Sequence, residues 1–135
     1  MPNRERRATQ ALFVLRLLLA GLIAAHGWAR WLSGGVAPFG EWLDSLGFPL
    51  GFWLAAGITA FEILGTPLLA LGRWVSALCL VYCGIYAVGI ALVHWPAGWF
   101  VVGLGRNGME YSVLLIAGLA AQAWVWWPKE ANFSG

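Results

Sequence analysis

Charge is what this sequence has least of. Asp, Glu, Lys and Arg make up 10% of 135 residues, against about 25% in a soluble domain. That scarcity excludes a soluble catalytic domain. The bases form no stripe of the kind that binds nucleic acid, so no nucleic-acid partner is expected. Cysteine is scarcer still. Cys79 and Cys83 are the two cysteines, four apart and therefore on one helix face. A disulfide between them would strain a regular helix. They read as small packing residues, with a redox role left open. The chain has no C-x-x-C, no heme-attachment C-x-x-C-H, no nucleotide fingerprint and no iron–sulfur cysteine set.

What fills the chain instead is hydrocarbon. Residues of the apolar and aromatic types make up 61% of it, and the mean hydropathy is +0.75. The length allows one membrane domain over 1–135. Four apolar runs are long enough to cross a bilayer, at about 9–28, 50–71, 74–93 and 109–127. The first follows Arg4, Arg6 and Arg7, as a signal peptide would. Arg16 interrupts its apolar core and no A-x-A site follows, so we read a retained span rather than a cleaved leader. Between the first two runs, Gly34, Gly35 and Pro38 break the chain. Phe39, Trp42, Leu43 and Leu46 then recur at helical spacing, which predicts a short surface helix over 39–46. Pro67 sits late in the second run and should kink it. Pro128 and Lys129 end the fourth.

The fold expected is therefore an all-α, integral-membrane four-helix bundle. Four crossings put both termini on one side, together with Arg4, Arg6, Arg7, Arg73 and Lys129, leaving Arg30 and Arg106 opposite. The positive-inside rule places the termini in the cytoplasm. The ten tryptophans agree. Trp28, Trp31, Trp42, Trp53, Trp95 and Trp99 map to the outer boundary, and Trp74, Trp124, Trp126 and Trp127 to the inner one.

Two polar groups stand out against this background. Glu62 lies near the middle of the second run, where a bare charge costs roughly 3 kcal/mol or more. Thr59, Gly65 and Thr66 share its helical face, so that stripe should meet protein rather than lipid. Arg16 lies ~11 Å in from the inner end of the first span and Glu62 ~14 Å in from that of the second, at ~1.5 Å per residue. Similar depth predicts a buried Arg16–Glu62 ion pair. The simpler alternative has Arg16 snorkelling to the surface and Glu62 neutral. The second group is His26, His94, Arg106 and Glu110, with Asn107, at the expected outer ends of spans. Two histidines and a carboxylate could ligate a metal, but their spacing matches no metal motif and none is expected. Two readings stand: ordinary interfacial histidines with a carboxylate at a helix start, or a proton-exchanging or quinone-headgroup site flanked by indole rings. The glycines of 103–108 follow no strand and precede no Lys-Ser/Thr, so they read as a flexible turn, not a phosphate loop.

The order of these features resembles the DoxX family of small four-span membrane proteins. The resemblance rests on Arg16, His26-Gly27, Glu62-x-x-Gly65, Gly72-Arg73, His94 and Asn107-x-x-Glu110, and runs from about Arg16 to Gln122. The family's common form has a lysine shortly after the first-span glycine; here Arg30 stands there. The resemblance implies quinone-coupled redox chemistry in a bacterial or archaeal cytoplasmic membrane; with no cofactor motif in the chain, the electrons would come from a partner subunit or pass through a bound quinone. The expected role is a quinone-associated subunit of an oxidoreductase system. The alternatives are a non-enzymatic scaffold within a larger membrane complex or a homo-oligomer, and a small-molecule or proton transporter.

Overall fold

In a computed structural model, residues 2–127 are described. Every regular element among them is helical. The order is α1 (Pro2–Leu32), α2 (Val36–Ser45), α3 (Gly51–Ala70), α4 (Val75–Gly89), a π turn (Ile90–His94), α5 (Trp95–Ala97) and α6 (Glu110–Val125). The chain divides into two compact units, Leu17–Arg73 and Met1–Arg16 with Trp74–Gly135.

Helix α1 is longer than the apolar run that predicted it. Arg4, Arg6 and Arg7, read as a tail, belong to its first turns. Pro2 suits a helix start, where its missing N–H is not needed, and nothing breaks the helix until Gly34, at φ +70°. Among the described residues, three helical stretches are long and apolar enough to cross a membrane: Pro2–Leu32, Gly51–Ala70 and Val75–Ala97. This is a multi-pass membrane protein. α6 is apolar but has 16 residues, about 24 Å of helix against a hydrocarbon core of about 30 Å. Pro128 and Lys129, expected to end the last span, lie outside the described residues.

In the Leu17–Arg73 unit, α2 begins earlier than expected and includes Pro38 in its first turn. A proline there starts a helix rather than breaking one. α2 buries Gly40 and Leu43 against α3. A Cβ on Gly40 would stand 2.6 Å from Phe52 Cα, so only glycine allows that approach. Asp44 Oδ1 accepts a hydrogen bond from Gly51 N at 2.8 Å. This caps α3, whose own preceding residue, Leu50, is left-handed at φ 57° and gives no side-chain cap. α3 continues through Pro67. The proline cannot donate to the Ile63 carbonyl, and the Thr66 hydroxyl lies 3.3 Å from that oxygen and 2.8 Å from Glu62 O.

In the other unit, α4 and α6 pack along their lengths. Ser76 Oγ donates to Ala123 O at 2.8 Å, and Cys83 Sγ lies 3.7 Å from Ile116 O. Gln122 Nε2 donates to Leu12 O at 2.8 Å, tying α6 to the start of α1. Cys79 and Tyr82 are fully buried. Both cysteines are free thiols.

Candidate functional site

The buried stripe on α3 meets protein, as its polarity demands. Thr59, Glu62 and Thr66 are all at most 2% exposed. Opposite Glu62, α1 presents Gly27. A Cβ there would lie 2.8 Å from Glu62 Cβ and 3.0 Å from Ile63 Cγ1. The two helices therefore touch through a hydrogen atom at this level.

Arg30 follows Gly27 by one turn and reaches across the same contact. Its Nη1 donates to Thr59 Oγ1 at 3.1 Å and to Glu62 Oε1 at 3.3 Å. Thr59 passes its own proton to Ala55 O at 2.7 Å. The guanidinium stacks over Phe39, 4.8 Å from the ring centre, a cation–π contact. The turn after α1 encloses the stem: a Cβ on Gly35 would stand 3.2 Å from Arg30 Cγ. Arg30 is thus clamped by glycine, ring, hydroxyl and carboxylate. Its side chain is 22% exposed, while that of Glu62 is 2% exposed. One oxygen of the pair stays unsatisfied. Glu62 Oε2 is buried and has no hydrogen-bond donor among the described residues.

This corrects the expected Arg16–Glu62 pair. Glu62 lies level with Gly27, eleven positions beyond Arg16 on α1. That is about 16 Å of helix, more than an arginine side chain spans. The cation at Glu62 is Arg30. Arg16 is buried in the other unit, its guanidinium 5.2 Å from the Phe13 ring centre and 4.9 Å from that of Trp126.

The second expected group falls into two parts. His94 and Glu110 flank the 98–109 loop of one unit, and each bonds its backbone. His94 Nδ1 donates to Asn107 O at 2.7 Å, and Glu110 Oε1 accepts from Val101 N at 2.9 Å. Asn107 is left-handed at φ 60°, a conformation Asn tolerates better than most residues. A Cβ on Gly108 would collide with the Trp99 and Phe100 backbone. The Met109 and Glu110 amides return to Gly98 O and Trp99 O at 3.0 Å each. The glycine-rich stretch is a stapled loop, not a flexible turn. Arg106 is exposed and makes no hydrogen bond or ion pair among the described residues. His26 belongs to the Leu17–Arg73 unit. It lies beside Gly27, close enough to act electrostatically on Glu62, and its Nδ1 is 3.0 Å from Leu22 O. No group of three or more metal-ligating side chains forms among the described residues.

A cavity of about 310 Å³ opens beside the α1–α3 contact, at the lower end of the range for small-ligand sites. Trp28, Trp31 and Val36 form one wall, and Ala56, Ile63 and Leu64 the other. Thr59, the hydroxyl bonded by Arg30, also lines it.

Sequence reasoning singled out Glu62 but missed Arg30 as its partner. The available signal was the spacing Gly27-x-x-Arg30, which puts a small residue and a cation on neighbouring positions of one helix face.

The sequence model of the DoxX family matches residues 11–95, more than half of the chain. The matched stretch contains Gly27, Arg30, Thr59 and Glu62, and stops short of Asn107 and Glu110. No curated protein and no solved structure matches the chain.

Proposed function

This chain belongs to the DoxX family, and from that premise we propose that it is a quinone-associated subunit of a membrane oxidoreductase system. In this reading it crosses a bacterial or archaeal cytoplasmic membrane four times, with both termini inside. The observation that carries the reading is the Arg30–Glu62 pair, at 3.3 Å, whose arginine also bonds the Thr59 hydroxyl that lines an apolar cavity. A carboxylate buried in a membrane span and held by a cation is a functional-site candidate, because its desolvation is poorly recovered.

The residues fit such a group. Indole walls suit a flat ring. Thr59 is the polar side chain on the cavity wall, and Arg30 behind it fixes the position of its hydroxyl. When bound, a quinone supplies the two-electron chemistry that no side chain here can. The chain's own part is to orient the ring oxygen, exclude water and hold charge at Glu62. Electrons come from a partner subunit.

The test is purification in mild detergent followed by solvent extraction. Co-purifying quinone, lost in Arg30→Met, supports the reading. Quinone-free protein that also fails to bind a short-tailed benzoquinone counts against it.

One observation favours a second reading, a scaffold in a larger complex. The 98–109 loop presents Trp99, Val102 and Leu104, the last 90% exposed, beside Arg106. A stable partner without bound quinone would support that reading.

A further inference from the structure

The 98–109 loop keeps its hydrogen bonds to itself. Gly108 N donates to Phe100 O at 3.1 Å, and the next two amides return to Gly98 O and Trp99 O. The Val101 amide is taken by a carboxylate oxygen of Glu110, and the Asn107 carbonyl by His94. A loop standing in water needs no such partners, because water supplies them. A loop beside lipid does need them, since an unpaired backbone group there is costly. The side chains are arranged the opposite way. Val102 is 75% exposed and Leu104 90% exposed, and Trp99 and Phe100 are exposed as well. Polar groups turned inward and apolar side chains turned outward are the pattern of a lipid-facing surface.

The depth of the loop follows from the packing of α6 on α4. Ser76 bonds Ala123 O and Cys83 lies against Ile116 O, so seven residues up α4 match seven down α6. One more such step sets Ile90 level with Met109. The start of α6 therefore lies about 10 Å short of the end of the membrane-crossing stretch Val75–Ala97, at ~1.5 Å per residue. The loop fills that interval. The His94 bond to Asn107 O, at 2.7 Å, holds it beside the stretch instead of beyond it. Exposed Trp95 marks the rim of the same stretch, and indole favours the water–lipid boundary. We propose that the 98–109 loop is inserted in the interfacial layer of the bilayer, with Val102 and Leu104 among the acyl chains and Arg106 reaching back to the lipid phosphates. The occupant of this apolar surface is lipid, continuous with the lipid around the spans. Arg106 is exposed and fits that setting, since a long cationic side chain keeps its charge in the headgroup layer while its neighbours are buried. This goes beyond the quinone reading and does not depend on it. It also gives to lipid the surface that a scaffold partner would need.

The experiment uses the full chain in vesicles of phosphatidylcholine and phosphatidylglycerol. Val102→Cys, Leu104→Cys and Arg106→Cys are each labelled with a nitroxide. Its collision rates with oxygen and with a water-soluble nickel chelate are then compared. All three positions are exposed, so the label disturbs no packing. Wild type treated with the same label sets the background from Cys79 and Cys83. Oxygen concentrates in lipid and the chelate is excluded from it. The oxygen-to-chelate ratio is therefore expected to be several-fold higher at 102 and 104 than at 106. Ratios at 102 and 104 no higher than at 106, with the chelate reaching all three, would place the loop in water and overturn the proposal. Low rates with both reagents at 102 and 104 would put protein over the loop, a second copy or a partner, and would overturn it as well. Quinone does not enter the readout, so the quinone reading stands or falls separately.

Discussion

Removing one member of the Arg30–Glu62 pair should be far worse than removing both. At 3.3 Å two unit charges attract by about 5 kcal/mol at an effective dielectric of about 20. Desolvation takes back most of this, so replacing a whole buried pair with apolar side chains is often neutral. Stranding one charge is different, at about 3–5 kcal/mol. Arg30→Met leaves Glu62, at 2% exposure, without the cation that bonds it. We expect a loss of about 3–4 kcal/mol, plus roughly 0.5–1 kcal/mol from the Phe39 stack. Glu62→Leu strands a side chain that is 22% exposed and should lose less, about 2 kcal/mol. The double variant should return to within about 1–2 kcal/mol of wild type. The coupling in the cycle is then about 4–5 kcal/mol, the two single losses less the loss in the double variant. The assay is reversible denaturation of the four proteins in mixed micelles, followed by tryptophan fluorescence. An additive cycle would refute the reasoning. So would a larger coupling of Glu62 to Arg16 than to Arg30.

Gly27→Ala would place a methyl 2.8 Å from Glu62 Cβ. It should destabilise the chain by about 1–3 kcal/mol through overpacking, read in the same denaturation assay. Asp44→Ala removes the acceptor for Gly51 N and should cost about 1 kcal/mol, as loss of a helix cap does; thermal melts check it. Glu110→Ala leaves the Val101 amide without its acceptor. It should make the 98–109 loop sensitive to limited proteolysis, with little change in quinone affinity.

The helices were legible because long apolar runs and a 3.6-residue period leave few alternatives. Placing Thr59, Glu62, Gly65 and Thr66 on one protein-facing stripe needed only that period. The partner of Glu62 was not legible. Depth counted from the ends of apolar runs ignores how one helix slides against the next. Here the register is set by Gly27 against Glu62, a contact visible only in three dimensions. Pro38 was ambiguous for a local reason, since a proline ends one helix and starts another with the same geometry. His94 and Glu110 looked like ligands because both are polar in apolar surroundings. Their partners are backbone groups of Asn107 and Val101, which carry no side-chain signature. The Asn107-Gly108 pair was the available sign of a tight turn. The apolar run 109–127 corresponds to the helix Glu110–Val125 to within two residues at either end.

The most direct test of the account is the quinone content of Arg30→Met/Glu62→Leu, the variant that keeps the packing and loses the pair. Extracted from membranes beside wild type, it should be inserted and folded yet hold less than about a tenth of the wild-type quinone, as expected if binding loses at least 1.4 kcal/mol. Equal quinone in the two proteins, or none in either, would contradict the central claim that this buried pair is the working site.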